Sequence, residues 1–232
     1  MLTIKQDLAN PTNYRKGRTR PIEYIVFHYD ANNGATDENN GNYFENDANL
    51  NASANYFVDE DSATCSVKDT DTAWHCGSES GRYVHPDCRN ANSLGIEICS
   101  ERDTNGNYYF TEATIANAVE LGRMKMAEHG VDINHCLRHY DVTGKICPAP
   151  FVNDESKWID FKTRLMKRMG EEMQVGMNIQ EVKVAMNGNQ VEKSTVLKVD
   201  GRDTTYIPAV ALRAVGINVT WDAASNTVVI TK

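Results

Sequence analysis

The order of apolar and polar residues over the first 170 positions predicts strands that alternate with helices. The run PIEYIVFHYD, from Pro21 to Asp30, is almost continuously apolar and lies between a proline and a polar cluster, which predicts a buried strand that ends at His28. SANYFVDED predicts a second strand, and SLGIEICS, from Ser93 to Ser100, predicts a third, central strand. Residues 32–51 are rich in Asn, Asp and Gly and predict a loop with a short helix.

Two segments carry the three- and four-residue apolar spacing of an amphipathic helix. In the first, Thr111 can cap the helix and Gly130 can end it. The second extends from Asp154 to Met169, and INHCLRHYDV between them returns to the composition of a strand. Strands that alternate with helices predict an α/β domain with a mixed central β-sheet flanked by helices.

The pattern changes after Gly170. EEMQVGMN is polar and contains glycine, as linkers do, and the segments after it are short, alternating and β-branched. IQEVKVAM, STVLKV and NTVVITK predict strands, and Pro208 to Ala214 predicts a helix. We therefore expect a first domain at residues 1–170, a linker at residues 171–177 and a second, small α+β domain at residues 178–232.

Charge and hydropathy exclude several kinds of partner. The 232 residues carry a net charge of -8, so nothing in the chain would neutralise a phosphate backbone and we expect no nucleic-acid partner. The start, MLTIKQDLANPTNY, lacks the apolar core of a secretory signal, and no segment is long and apolar enough to predict membrane insertion. We expect synthesis in the cytoplasm and contact with an external target only after release.

His28, His139 and Cys147 are the strongest candidates for chemistry. They could supply the three protein ligands of a catalytic zinc site, in which the fourth position stays open. Alternatively, Cys147 is a nucleophile activated by His139, although Pro148 follows it at once and a nucleophilic cysteine usually lies at a helix start. Their spacing also allows plain core packing. No C-x-x-C pair occurs, and we expect the other cysteines to be reduced and packed: Cys65, Cys76, Cys88, Cys99 and Cys136.

Five motifs decide between these readings of the site. YIVFH, SANYFV, TAWHCG, SLGIEIC and RHYDVTGKICPAPF occur in the order and at roughly the spacing seen in the type 2 N-acetylmuramoyl-L-alanine amidases. From about Pro21 to Met169 the chain resembles a phage endolysin of this family, which is related in fold to the peptidoglycan recognition proteins. The resemblance implies a zinc amidase that cleaves the bond between N-acetylmuramic acid and the first L-alanine of the stem peptide, and so lyses the cell wall.

The resemblance also implies a role for each matched residue. It places the ligands of one Zn²⁺ ion at His28, His139 and Cys147. It places the general base at Glu97, which would take a proton from the attacking water. It places Lys145 over the metal, where an ammonium group could stabilise the developing oxyanion.

Three further residues match positions with less defined chemistry. Tyr56 matches a tyrosine that could donate to the same oxyanion or orient the water, with ordinary core packing as the alternative. Trp74 and His75 match a pair in the substrate groove. Many relatives carry His-Tyr where this chain has Asn55-Tyr56, a departure that bears on substrate fit and not on zinc binding.

The last segment, TTYIPAVALRAVGINVTWDAASNTVVITK, resembles the copper amine oxidase N-terminal-like domain, a module found on bacterial cell-surface and wall proteins. Trp221 is the most recognisable residue of the match. Residues 177–232 contain no His and no Cys, so the usual copper ligands are missing. We expect a wall-binding module, with a homo-oligomer formed through this domain as the alternative.

The predicted function is therefore a zinc-dependent N-acetylmuramoyl-L-alanine amidase of the endolysin type, with bacterial peptidoglycan as its partner. One alternative is a recognition protein, because the same fold binds peptidoglycan without cleaving it when a zinc ligand is lost. A cysteine endopeptidase is the other. The joint presence of His28, His139, Cys147 and Glu97 favours the amidase.

Overall fold

The structure, a computed structural model, describes residues 2–78 and 81–166 and, beyond them, the backbone of five strands. The chain divides into two compact units, residues 1–168 and residues 169–232. The predicted linker at residues 171–177 and the predicted helix from Pro208 to Ala214 lie outside the described residues.

The first unit contains ten strands and five α-helices among its described residues. The strands are β1 (Ile4–Gln6), β2 (Tyr14–Arg15), β3 (Tyr24–Tyr29), β4 (Tyr56–Val58), β5 (Ala63–Cys65), β6 (Thr72–Ala73), β7 (Ser93–Ile98), β8 (Glu101–Arg102), β9 (Tyr108–Tyr109) and β10 (Cys136–Arg138). The helices are α1 (Asp37–Asn46), α2 (Glu112–His129), α3 (His139–Thr143), α4 (Ala149–Val152) and α5 (Glu155–Met166). None of the described helices is long and apolar enough to cross a membrane.

Six strands form the central sheet in the order β1-β5-β4-β7-β3-β10. The pairing of β4 with β5 is antiparallel and every other pairing is parallel, so the sheet is mixed. β7 lies between β4 and β3, as predicted for a central strand, and both β3 and β7 are almost fully buried. The predicted α/β class with a mixed central sheet is confirmed.

The two predicted amphipathic helices are also confirmed. α2 begins after Thr111, whose side chain accepts a hydrogen bond from the Thr114 amide at 3.2 Å, and it ends at Gly130. Gly130 adopts φ 68°, a left-handed conformation that costs glycine little and other residues more. α5 begins one residue after the expected Asp154, and its described part ends at Met166.

α2 and α5 cover one face of the sheet. Phe27 of β3, Ile96 of β7 and Tyr56 of β4 are lateral neighbours in the register, and all three belong to the main core cluster on this face. Gly122 lets the two helices and the sheet approach closely, because a Cβ there would lie 2.7 Å from Leu165 and 3.1 Å from Phe27. The side chain of the next residue along each strand points to the opposite face of the sheet.

One predicted element needs correction. INHCLRHYDV was expected to be a strand that ends at the histidine, but the strand β10 stops at Arg138 and His139 is the first residue of α3. The Arg138 amide donates to the Asp141 carboxylate at 2.8 Å, which caps the short helix, and Gly144 ends it with φ 82°. Local capping therefore overrides the strand composition.

The second unit is described only by its strands. β11 (Gln180–Met186), β12 (Asn189–Val199) and β13 (Arg202–Thr205) form an antiparallel three-stranded sheet, and β14 (Asn218–Asp222) pairs with β15 (Thr227–Thr231). The three segments predicted as strands overlap β11, β12 and β15. Strands are therefore observed where the sequence predicts them.

A buried polar network joins β4 to α2. The Asp69 carboxylate accepts hydrogen bonds from the Tyr56 hydroxyl at 2.6 Å and from Lys125 and His129 at 2.8 Å each. Burial by itself would raise the pKa of Asp69, but the hydrogen bonds it accepts, the one from Lys125 foremost, lower it below the ordinary 3.8. Asp69 is thus an ionised acceptor that holds Tyr56 and the C-terminal turns of α2 together.

We predict that Asp69→Ala lowers the free energy of unfolding by about 3 kcal/mol, because the Tyr56 hydroxyl loses its acceptor and the Lys125 ammonium keeps only Glu128. Urea unfolding followed by circular dichroism measures the change. Glu60→Ala, which removes an exposed carboxylate, is the matched control and should shift the value by less than about 0.5 kcal/mol.

The pH dependence has a definite sign. Since the folded-state pKa of Asp69 is depressed, its contribution should be complete above pH 3.8 and should be lost as the pH falls through the lower folded-state value. Equal unfolding midpoints for wild type and Asp69→Ala at pH 7 would contradict the assignment.

Candidate metal centre

A polar cleft opens on the face of the sheet opposite α2. Its volume is about 290 Å³, and it lies near the carboxyl ends of the parallel strands β3 and β7, where open α/β sheets usually bind ligands. The register places His28 beside Glu97 and Glu97 beside Phe57, so these three side chains line the cleft together. Phe57 stacks on Phe44 of α1 with ring centroids 5.4 Å apart, which closes one side.

Three buried side chains bring metal-binding atoms together in this cleft. One ring nitrogen each from His28 and His139 and the sulfur of Cys147 all lie within 4.8 Å of one another. Cys147 Sγ lies 3.6 Å from His28 Nδ1. Tetrahedral zinc with bonds of about 2.1 Å to nitrogen and about 2.3 Å to sulfur separates those atoms by about 3.6 Å. The separation between His28 and Cys147 therefore fits zinc, and the ligand atom of His139 lies within 4.8 Å of both.

Different elements supply the three side chains. His28 is the fifth residue of β3, and His139 opens α3. Cys147 lies in the loop after α3, and this loop is tied back to the helix because the Tyr140 amide donates to the Cys147 carbonyl at 2.8 Å. The metal-binding group thus joins a rigid strand to a short, capped helix.

Arg138 holds the helix end in place. Its guanidinium forms paired hydrogen bonds with the Asp141 carboxylate, at 3.2 Å and 2.9 Å, and also binds the Phe151 carbonyl at 3.1 Å. Arg138 is buried, and its paired geometry restricts the start of α3 in both position and direction. The predicted site residues did not include Arg138 or Asp141.

The histidines present lone pairs to the cleft. Burial lowers the pKa of His139 to about 4 and that of His28 well below its ordinary value of 6.5, so both rings are neutral at pH 7. His139 Nε2 lies 3.0 Å from the Gly77 carbonyl, which only accepts, so Nε2 carries the proton and Nδ1 is free to bind a metal.

Glu97 contributes an unsatisfied oxygen. Its Oε1 lies 3.9 Å from His28 Nδ1, and its buried Oε2 has no hydrogen-bond partner in the part of the chain that the structure describes. Burial, and after it the charge of Asp30, raise the pKa of Glu97 to about 8 against the opposing charge of Lys145. A buried carboxylate oxygen without a partner is costly, so this atom fits a position for a water molecule or a cation.

Lys145 and Trp74 also line the cleft. Lys145 is exposed on the loop that precedes Cys147, and its charge acts on both His28 and Glu97. Trp74 is half-buried, and the Ser53 hydroxyl accepts a hydrogen bond from its amide at 2.9 Å. Both predicted residues therefore lie beside the candidate metal ligands.

The structure corrects the expected role of Tyr56. Because side chains alternate along β4, Tyr56 points to the α2 face while its neighbour Phe57 faces the cleft. Its hydroxyl donates to Asp69, and the Lys125 ammonium lies 4.7 Å from its ring centroid. Tyr56 is a packing residue of the polar network and is not at the candidate metal centre.

His75 occupies an unexpected place. It was predicted to contact substrate and it does line the cleft, but its side chain is buried, with its Nδ1 3.0 Å from His28 Nε2. The one signal in the sequence was Gly95, since a glycine inside a buried strand often marks a close approach. A Cβ at Gly95 would lie 2.4 Å from the His75 ring.

A second group of acidic and histidine side chains, Asp69, Glu128 and His129, also meets the spacing of a metal site. The Lys125 ammonium, however, lies 2.8 Å from Asp69 and 2.9 Å from Glu128. A cation is already in place, so a metal ion there would be repelled. The cleft with His28 is the better metal centre.

The nucleophilic-thiol alternative finds little support in the geometry. That alternative requires a hydrogen bond between Cys147 and His139. The observed contact of Cys147 Sγ is instead with His28 Nδ1, at 3.6 Å. Burial and the charge of Glu97 raise the pKa of the Cys147 thiol above its ordinary value of 9.0. Without a metal ion the thiol is therefore neutral at pH 7 and weakly nucleophilic.

Comparisons with known proteins give a consistent set of relatives. Residues 18–150 match the family described as N-acetylmuramoyl-L-alanine amidase. The chain is 37% identical over 159 residues to the N-acetylmuramoyl-L-alanine amidase BlyA of Bacillus subtilis (strain 168) and 34% identical over 155 residues to the N-acetylmuramoyl-L-alanine amidase CwlL of Bacillus licheniformis. Each match covers 64% of this chain and 42% of the relative, so the chain spans less than half the length of these curated relatives.

A solved structure shares the fold. A mutant endolysin from Bacillus subtilis superposes with a TM-score of 0.58 at 27% identity. The match covers 71% of this chain and 99% of that chain. The fold that carries the candidate metal centre is thus the fold of a solved endolysin.

We predict that Cys147 reacts slowly with iodoacetamide at pH 7 in chelator-treated protein, because its thiol is buried and neutral. Mass spectrometry of a labelling time course measures the rate at each cysteine. Cys136 is a matched control, because it is also buried and burial raises its pKa to about 12. Labelling of Cys147 well before the other cysteines would support the thiol nucleophile instead.

Proposed function

This chain belongs to the N-acetylmuramoyl-L-alanine amidase family, and we propose that it hydrolyses the amide bond between N-acetylmuramic acid and L-alanine in bacterial peptidoglycan. One observation carries the proposal. His28, His139 and Cys147 present three ligand atoms within 4.8 Å of one another, and the unpartnered Oε2 of Glu97 is buried in the same cleft. The activity in the printed names of BlyA and CwlL supports the choice of substrate.

The residues present fit one zinc ion. His28, His139 and Cys147 would hold it, with two neutral nitrogens and one sulfur, a donor set that zinc prefers over magnesium or calcium. When bound, zinc would supply Lewis acidity, which polarises the scissile carbonyl and makes water easier to deprotonate. Three protein ligands leave one coordination position open, as hydrolytic sites require.

Glu97 and Lys145 would have different roles in the reaction: Glu97 would act on the attacking water and Lys145 on the carbonyl oxygen. The carboxylate of Glu97 would accept the proton of the attacking water, because its buried Oε2 has no other hydrogen-bond partner in the described part of the chain. The Lys145 ammonium at the rim of the cleft would stabilise the oxyanion as it develops on the carbonyl oxygen. Trp74, on the cleft wall, would contact the glycan or the peptide.

We propose that the biological role is that of an endolysin of phage type. The chain would be synthesised in the host cytoplasm and would act on the wall once the membrane is breached. The shared fold with a solved endolysin from Bacillus subtilis supports this role. A recognition protein without activity is disfavoured because all three ligand positions and Glu97 are present together.

We predict that purified cell walls incubated with the full chain lose turbidity and gain L-alanine amino termini without gaining reducing sugars. Mass spectrometry of the released fragments identifies the cleaved bond. Glu97→Gln should lower kcat by about 10²- to 10⁴-fold, because the water would lose its proton acceptor, while bound zinc stays at one ion per chain.

Each alternative gives a distinct result. Binding to walls without any new amino terminus would show a recognition protein. New peptide ends other than L-alanine, released by a chain that is inactivated by alkylation and not by chelator, would show a cysteine endopeptidase. A Glu97→Gln variant with unchanged kcat would exclude Glu97 as the proton acceptor.

For the second unit we propose a copper amine oxidase N-terminal-like domain that binds the wall or forms a homo-oligomer. Two features support it: the strands observed where the sequence predicts them, and the motif around Trp221, which lies in β14. With no His or Cys in residues 177–232, it would bind through its surface and not through copper.

We predict that a chain ending at residue 168 sediments with purified walls more weakly than the full chain, since a second contact raises the effective concentration of the first at the wall. Glu97→Gln in both lengths prevents the walls from being digested during the assay. Equal sedimentation of both lengths, with the full chain eluting as a dimer on gel filtration, would favour the oligomer.

A further inference from the structure

Three polar contacts in series extend from His28 into the protein. His28 Nε2 lies 3.0 Å from His75 Nδ1, and His75 Nε2 lies 3.1 Å from the Ser93 hydroxyl. The Ser93 hydroxyl in turn lies 2.7 Å from the Arg89 carbonyl. The series begins on the ring nitrogen that faces away from Cys147.

The far end of the series fixes the direction of every proton. A carbonyl oxygen only accepts, so the Ser93 hydroxyl donates its proton to Arg89. Ser93 Oγ must then accept from His75, which places the proton of His75 on Nε2. The bare Nδ1 of His75 can only accept, so it receives the Nε2 proton of His28.

This assignment leaves one atom of His28 for a metal ion. With its proton on Nε2, neutral His28 has its lone pair on Nδ1, the atom that lies 3.6 Å from Cys147 Sγ and 3.9 Å from Glu97 Oε1. The Cys76 thiol lies 3.2 Å from His75 Nδ1 and, with that nitrogen bare, it is the donor of this contact.

The His75 ring is held firmly. It is buried at 7% exposure, and its plane lies at 89° to that of His28. Asn90 Oδ1 accepts from the amides of both His75 and Cys76, at 3.1 Å and 2.7 Å. Gly95 provides the space for the ring, because a Cβ there would lie 2.4 Å from it. A buried ring with hydrogen-bond partners on both nitrogens is suited to orient its neighbour.

We infer that His75 is a positioning residue: it accepts the Nε2 proton of His28 and so selects the tautomer and ring orientation with which His28 binds the metal ion. A partner of this kind stabilises the lone pair of a metal-binding histidine and restricts its rotation. This inference rests on the metal centre of the proposed function. It differs from the predicted role of His75 as a substrate contact, which would alter substrate binding and not metal binding.

The test measures metal affinity directly, by competition for Zn²⁺ with a chromophoric chelator and by the absorption spectrum of the Co²⁺-loaded protein. His75→Leu removes the acceptor, and zinc affinity should fall by about 10- to 100-fold. His75→Asn keeps an amide oxygen near the position of Nδ1, and its affinity should stay within a few-fold of wild type. The Co²⁺ spectrum of the leucine variant should shift, while that of the asparagine variant should resemble wild type.

Two further variants keep the test decisive. Trp74→Phe is the matched control, since Trp74 lines the same cleft and makes no hydrogen bond to His28 among the described residues, and its zinc affinity should be unchanged. Ser93→Ala removes the far acceptor without altering either ring, and should weaken zinc binding several-fold even if His75→Leu does not fold. Circular dichroism of the metal-free variants reports folding.

The outcomes separate this inference from the proposed function. Wild type that binds Zn²⁺ while His75→Leu and Ser93→Ala bind it equally well would overturn the positioning role and leave the metal centre intact. A raised KM in His75→Leu, with wild-type zinc affinity, would assign His75 to the substrate instead. Wild type that binds no Zn²⁺ would overturn the metal centre and the positioning role together.

Discussion

The alternation of side chains across three parallel strands is the constraint on which the rest of the structure depends. In one lateral row, Phe27 and Ile96 face α2 and complete the apolar core. One residue further along, His28 and Glu97 face the cleft. Because the period of a strand is two, the residues that stabilise the sheet and those that line the site must follow one another directly.

Burial then sets the chemical state of the site. The same lack of solvent lowers the pKa of His28 and His139 and raises that of Glu97, so without a metal ion the two rings are neutral and Glu97 favours its protonated form. Such groups are costly to bury unless something binds them. A metal ion offers compensation to all of them together, and the unpartnered Oε2 of Glu97 is consistent with this requirement.

The sequence predicted those features of the fold and the site that depend on neighbouring residues in the chain. The caps at Thr111 and Gly130 and the apolar run before His28 are local, and the elements they predict are observed. The face of the sheet to which Tyr56 points depends on the register of β4 with β7, which no local pattern fixes. Its expected role at the oxyanion was wrong, and the alternative of core packing is the one observed. The contact of His75 with His28 joins residues 47 positions apart, and only Gly95 hinted at the space it needs.

X-ray absorption at the zinc edge of the loaded, full-length protein tests the metal centre most directly, since it measures the ligand atoms themselves. We expect one sulfur ligand at about 2.3 Å, from Cys147, and lighter ligands at about 2.0–2.1 Å that include the two imidazoles. A spectrum without a sulfur ligand would contradict this expectation, because the ion would then bind elsewhere than between His28, His139 and Cys147.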